Sequence, residues 1–147
     1  MFLRLAGFLA CLAAAVCNAQ GVIATAATPD AADVAVNPRT HAIYVAGDSN
    51  NVVYVIDPAT FAVRAVPTGK GPQYLAVDST TNRIYVSNER DASLSIIDGA
   101  TLSVRTLPID GAGPIVVDEA ADRVYVLRRG NNGEVTVLDG AGTSWLA

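Results

Sequence analysis

One line of residues recurs three times and constrains what this chain can fold into. A short apolar strand carrying tyrosine is followed by a polar loop, then by a second apolar strand that ends in aspartate. The first copy runs from Ile43-Tyr44-Val45-Ala46 to Val53-Tyr54-Val55-Ile56-Asp57. The second runs from Ile84-Tyr85-Val86-Ser87 to Leu94-Ser95-Ile96-Ile97-Asp98, and the third from Val124-Tyr125-Val126-Leu127 to Val135-Thr136-Val137-Leu138-Asp139. The tyrosines lie 41 and 40 residues apart, and the aspartates 41 residues apart both times. A period of about 40 to 45 residues with several short strands per unit is the pattern of a propeller blade.

Around this line each unit reads as four strands. The first unit has strands at 33–36, 42–46, 52–56 and 61–66, broken by Asn37-Pro38-Arg39-Thr40, the 47–51 loop and Asp57-Pro58-Ala59-Thr60. The second repeats them at 74–77, 83–88, 93–97 and 102–107. The third has 115–117, 123–127 and 134–138, and Ser144-Trp145-Leu146 begins a fourth strand that the chain does not complete. Every gap holds Gly, Pro, Asn or Asp, the residues that let the backbone reverse. Val52-Val53-Tyr54-Val55-Ile56 has no polar face, as expected of a strand buried on both sides between neighbouring sheets. The expected fold is all-β: a β-propeller of three four-stranded antiparallel blades, the last incomplete, forming part of a six- to eight-bladed ring or an oligomer. The blades span 33–73, 74–114 and 115–147. Residues 20–32 are a linker, with Val22-Ile23-Ala24-Thr25 as a stray strand.

Asn82-Arg83-Ile84-Tyr85-Val86-Ser87-Asn88, followed by Leu94-Ser95-Ile96-Ile97-Asp98-Gly99-Ala100-Thr101, resembles the YVTN-type β-propeller repeat. Gly69-Lys70-Gly71-Pro72 and Ala76-Val77-Asp78 between units resemble it too. The resemblance covers nearly all of the chain after its first nineteen residues. It implies the fold and leaves function open, because such repeats occur in secreted scaffolds, surface proteins and enzymes.

Those nineteen residues read as a secretory leader. Met1-Phe2-Leu3-Arg4 carries one positive charge, residues 5–16 are apolar, and Cys17-Asn18-Ala19 places small residues before a cleavage point at Gln20. The apolar run is shorter than the roughly 20 residues a membrane span needs. A lipoprotein reading would lipidate Cys17, but bulky Val16 before it fits poorly. Both cysteines, Cys11 and Cys17, fall in this segment, so cleavage would leave no thiol for a disulfide or metal site. The chain carries ten Lys and Arg against fourteen Asp and Glu, a net charge of −4. That balance suits an exported protein, periplasmic or extracellular, and opposes bulk affinity for nucleic acid.

Closed propellers have about four to eight blades, so three leave two open apolar flanks. Three arrangements satisfy them: further blades in a longer chain, a second copy making six blades, or a separate protein partner. In the second arrangement residues 21–28 could supply the missing outer strand of the partner copy's third blade.

Candidate site residues divide into two groups. Tyr44, Tyr85 and Tyr125 are expected in the core with their hydroxyls on polar partners. Asp57, Asp98 and Asp139 are expected to hold turns, since a catalytic residue is needed once and not once per blade. His41, the only histidine, aligns with Asn82 and Asp122 in a tight turn and cannot alone build a zinc, copper or haem site. The second group is Lys70, Arg90, Arg128 and Arg129, in loops expected on one rim beside Asp48, Glu89, Asp91 and Asp110. Loops on a rigid scaffold are where binding concentrates, so this rim is the candidate site for an anionic ligand or a protein.

No cofactor, metal or catalytic set is expected. The sequence reads as an exported, non-enzymatic binding scaffold. A piece of a lactonase-like or quinoprotein-dehydrogenase-like propeller enzyme is the first alternative. A single-stranded-DNA-binding propeller is the second; the acidic balance and the lack of aromatic runs for base stacking oppose it.

Overall fold

The computed structural model describes residues 24–130 and 133–142. The described strands are β1 (Ala31–Val36), β2 (Ile43–Gly47), β3 (Val52–Ile56), β4 (Val63–Pro67), β5 (Pro72–Asp78), β6 (Arg83–Asn88), β7 (Ser93–Asp98), β8 (Val104–Pro108), β9 (Ala112–Asp118), β10 (Arg123–Arg128) and β11 (Glu134–Asp139). They form three antiparallel sheets in simple meander order: β1-β2-β3-β4, β5-β6-β7-β8 and β9-β10-β11. A 3-10 turn, Glu89–Asp91, lies in the β6–β7 loop. Val22-Ile23 and Ser144-Trp145-Leu146 lie outside the described residues, and Ala24 and Thr25 are not in a strand.

Side-chain-capped turns shape one end of the blades, two in each of the first two blades and, among the described residues, one in the third. Asn37, Asp78 and Asp118 follow the first strand, and the Oδ1 of each accepts the backbone N–H groups two and three residues on. Asp57 and Asp98 do the same after the third strand. Such Asx turns fold the backbone locally without tertiary help. His41, Asn82 and Asp122 then take left-handed conformations, with φ of 59°, 54° and 50°.

The fourth strands begin later than their apolar residues suggest. Phe61 and Leu102 sit at φ of 57° and 59°, outside any strand. Their amides donate to Asp57 O and Asp98 O across a five-residue turn, so pairing resumes only at Val63 and Val104.

Stacking of the sheets builds the core. Tyr44, Ala46, Val53 and Val66 of the first sheet meet Leu75, Ile84, Val86 and Ile97 of the second. Tyr85, Leu94 and Ile96 of the second sheet then meet Ala112, Val124, Val126 and Leu138 of the third. The two central strands of the middle sheet, β6 and β7, thus bury both pleated faces, which is why their buried residues run consecutively.

Candidate binding surfaces

The β2–β3, β6–β7 and β10–β11 loops share one rim with the connections between sheets. Backbone bonds tie them together: Thr68 N donates to Asn51 O, Arg90 N to Lys70 O, Ile109 N to Ala92 O and Arg129 N to Gly111 O. Asn51 Oδ1 accepts from Gly71 N, and Asp91 Oδ2 from Lys70 N.

The rim brings the four candidate cations onto one end of the molecule, and three of them already hold carboxylates. Arg90 pairs with Asp48 at 2.7 Å, and Arg129 with Glu89 at 2.6 Å. Both pairs cross from one blade to the next. Arg128 pairs with Glu134 at 2.7 Å inside the third blade and donates from Nε to Asp110 O. Arg129 also bonds the Tyr74 hydroxyl and lies over its ring, 4.9 Å from the centroid. Lys70 enters no ion pair among the described residues. These arginines therefore fasten blades together before any ligand arrives.

Sequence reading missed a matching set at the opposite end. Asn37 Nδ2 donates to Asn82 Oδ1 at 2.8 Å across the first blade boundary. Across the second, Glu119 accepts from Ser79 N, Ser79 Oγ and Thr80 Oγ1, and these bonds pull its carboxyl below the usual range. The repeat of Asn37 as Asp78 and Asp118 was the signal available in the sequence.

The aspartates and tyrosines sort by position. Asp57 and Asp98 hold their turns from exposed positions, and the N–H donors of Thr60 and Thr101 lead in depressing their pKa values. Asp139 opens a tighter turn in which Gly142 N donates to Asp139 O. Tyr44 and Tyr85 are buried, and burial raises both hydroxyl pKa values, Tyr85 to about 12. Tyr125 is only half-buried, because it points out of the stack.

That outward face is the largest departure from the repeat. Val53 and Leu94 occupy one position in blades one and two and are fully buried, whereas Val135 at the same position in blade three is 54% exposed. Ala46 and Ser87 are likewise buried, and their counterpart Leu127 is 40% exposed. Val116 on β9 is 64% exposed on the same face. At the other end of the stack, Val34 and Val36 of β1 are 61% and 51% exposed, whereas Leu75, the counterpart of Val34, is buried. Ala26 packs against Val45, Tyr54 and Ile56 on that side.

A cleft of about 300 Å³ on the outer edge of blades two and three is lined by Arg83, Asp98 and Arg105 among others. Arg83 and Arg105 donate to the carbonyls of Gly140 and Ala141, so this cleft is a further junction between blades. Among the described residues no group of three or more His, Cys, Asp or Glu could hold a metal ion, and no helix is long and apolar enough to cross a membrane.

Meandering sheets stacked face to face in this way are matched in solved structures. The chain has the architecture of a β-propeller. It superposes on hydrazine synthase of Kuenenia stuttgartiensis with a TM-score of 0.73 at 20% identity, over 86% of this chain and 37% of that one. The RRP9 WD40 repeats give 0.71 at 13% identity, over 84% and 39%. A chain of the nidogen/laminin complex gives 0.69 at 13% identity, over 80% and 47%. At these identities the likeness concerns the fold alone, and this chain spans less than half the length of each of these three structures. No protein-family profile matches the chain, and no curated protein matches it.

Proposed function

We propose that this chain is an exported, non-enzymatic propeller scaffold whose working surface is its open flank, where it takes up the face of another β-sheet protein. The observation that carries this reading is Val135. A position that is fully buried in both other blades stands 54% exposed in the third, with Leu127 and Val116 beside it. An apolar sheet face of this kind is stabilised by burial, at about 25 cal/mol per Å² removed from water. A chain of the nidogen/laminin complex shares the fold, which supports the reading without naming a partner for this chain. Export rests on the leader pattern of residues 1–19.

The rim is the secondary surface. Arg90, Arg128 and Arg129 are neutralised by Asp48, Glu134 and Glu89, so an anionic ligand there would rely on Lys70 or displace existing pairs. Such binding would be weak and would fade with salt.

A photo-crosslinking residue at position 135 of the full chain, compared with one at exposed Ala59, tests the flank directly. Cross-links to protein from position 135 alone are expected. Equal yields from the two positions would sink the reading.

A further inference from the structure

Inside the chain, successive blades dock by a common rule. The first two strands of the leading blade meet the first strand of the following blade, and polar groups close both ends of the seam. At the rim the leading blade offers an acid and the following blade an arginine: Asp48 to Arg90, then Glu89 to Arg129. At the opposite end the bonds run from Asn37 to Asn82, then from Ser79 and Thr80 to Glu119.

Blade three departs from the rim rule. The position held by Asp48 in blade one and Glu89 in blade two is Arg129, whose guanidinium already faces blade two on Glu89 and Tyr74, so blade three offers no acid here for the arginine of a following blade. The residues that would meet this position, at the places of Arg90 in blade two and Arg129 in blade three, are Ser49 and Asp48 of blade one, neither of them an arginine. Asp48 is turned to Arg90 of its own chain, and its Oδ1 is buried.

The opposite end changes too. Asp118 stands where Asn37 and Asp78 stand, and its Oδ1 holds the local turn. In blade two the second oxygen of Asp78 takes the Thr81 hydroxyl, but the corresponding residue of blade three is Ala121, which has none. The following-blade position that met Asn37 is Asn82, and in blade one it is His41, an N–H donor. The apolar faces agree as well. Val116 and Leu127 lie open on β9 and β10, and Val34 and Val36 lie open on β1, the strands that the internal seams use. Ala26 covers Val45, Tyr54 and Ile56 and leaves Val34 and Val36 exposed.

Resting on the flank-binding reading above, we propose that the occupant of the flank is a second copy of this chain, docked head to tail. Blade three of each copy receives blade one of the other, with Asp118 meeting His41. Two such seams close a ring of six blades. A heterologous contact that does not close would instead run on into a filament.

Two variants of the full chain separate this arrangement from every other. Val34→Asp breaks only the following face and Val135→Asp only the leading face; both side chains are exposed, so each variant should fold, as circular dichroism would verify. Light scattering after size exclusion is expected to give twice the chain mass for the unaltered protein and the single-chain mass for each variant alone. An equal mixture of the two variants is expected to recover the doubled mass, because one seam per pair is then intact. If Val34→Asp fails to fold, His41→Asp replaces it, setting a carboxylate against Asp118 from an exposed turn. A single-chain mass for the unaltered protein, a ladder of larger masses, or a mixture that fails to recover would overturn the inference. A single-chain mass together with position-135 cross-links to a different protein would overturn the second copy and leave the flank reading intact. A single-chain mass with no such cross-links would end both.

Discussion

The hydroxyl of Tyr85, in the second strand of the middle blade, donates to the carbonyl of Gly140, beyond the third strand of the next blade. This bond crosses a blade boundary inside the core, and Arg83 Nη1 donates to the same carbonyl at 2.9 Å. Burial is the main cause that pushes the Tyr85 hydroxyl up to about 12, with the charge of Asp78 adding to it. The raised folded value means that stability is complete below the unfolded tyrosine pKa of about 10 and is lost as pH rises towards 12. Chemical denaturation followed across that window is expected to show a declining midpoint. In Tyr85→Phe the bond is absent, with a cost of about 0.5–1.5 kcal/mol at neutral pH. The variant should also show a shallower alkaline decline; an unchanged decline would assign the effect elsewhere.

At low pH the relevant groups are Asp57, Asp98 and Glu119. Each has its pKa depressed by hydrogen bonds to the ionised carboxylate, led by the N–H groups of Thr60, Thr101 and Ser79. A depressed folded value contributes stability that is present above the unfolded carboxylate range of about 4 and lost as pH falls through the folded value. Thermal melting should therefore be flat down to about pH 5 and decline below pH 4. Asp98→Asn keeps an oxygen acceptor without the charge, so it should flatten part of that acid decline while holding the turn. Asp98→Ala should lower the melting temperature at every pH.

The two inter-blade arginines on the rim are expected to differ in worth. Arg90 meets Asp48 from an exposed position, a kind of pair that contributes about 0–1 kcal/mol. Arg129 meets Glu89 in a similar setting but also bonds the Tyr74 hydroxyl and stacks on its ring. Stacking of a cation on an aromatic face adds about 0.5–1 kcal/mol and is less sensitive to salt. Equilibrium denaturation of Arg90→Ala and Arg129→Ala, with and without added salt, should show the larger and more salt-resistant loss for Arg129. Lysine at 129 should not restore it, because a compact ammonium lacks the planar fork that serves both partners.

The strand centres were legible because Val52-Val53-Tyr54-Val55-Ile56 is β-branched or aromatic throughout and its repeats keep most of that apolar pattern, with turn residues on either side. The strand ends were less so. Phe61 and Leu102 look like strand residues, yet Asp57 and Asp98 draw them into left-handed turns. Pro72 and Ala112 look like loop residues, yet register shifts beside Tyr74 and near Val126 let them pair at the ends of β5 and β9. Clustering of Lys70, Arg90, Arg128 and Arg129 on one rim could be read from loop order. The partners could not, because Asp48 and Arg90 are 42 residues apart and meet only once two blades are stacked. The repeat count foretold open flanks, but which valines they expose follows from the pleat of β9, β10 and β1.

Gly111 offers the sharpest test of how blade three is held to the middle blade. It sits at φ 66° in the connection between β8 and β9, and its carbonyl accepts Arg129 N at 2.6 Å. A methyl group added here would overlap the backbone carbonyl oxygen of Arg129, which has no flexible side chain to yield. The left-handed conformation alone costs a residue with a Cβ about 1–2 kcal/mol. Relief of the overlap would require the β10–β11 loop to shift, loosening the Arg129–Glu89 pair with it. Gly111→Ala is therefore expected to destabilise the chain by at least that amount and to speed amide exchange in β9 and β10 more than in β2 and β3. Gly130→Ala, close by in the same rim, is the control. Its added methyl meets nothing within 4 Å among the described residues, so its effect should stay within about 0.5 kcal/mol. Equal losses in the two variants would show that the rim is sensitive to any added bulk and not to the contact between Gly111 and Arg129.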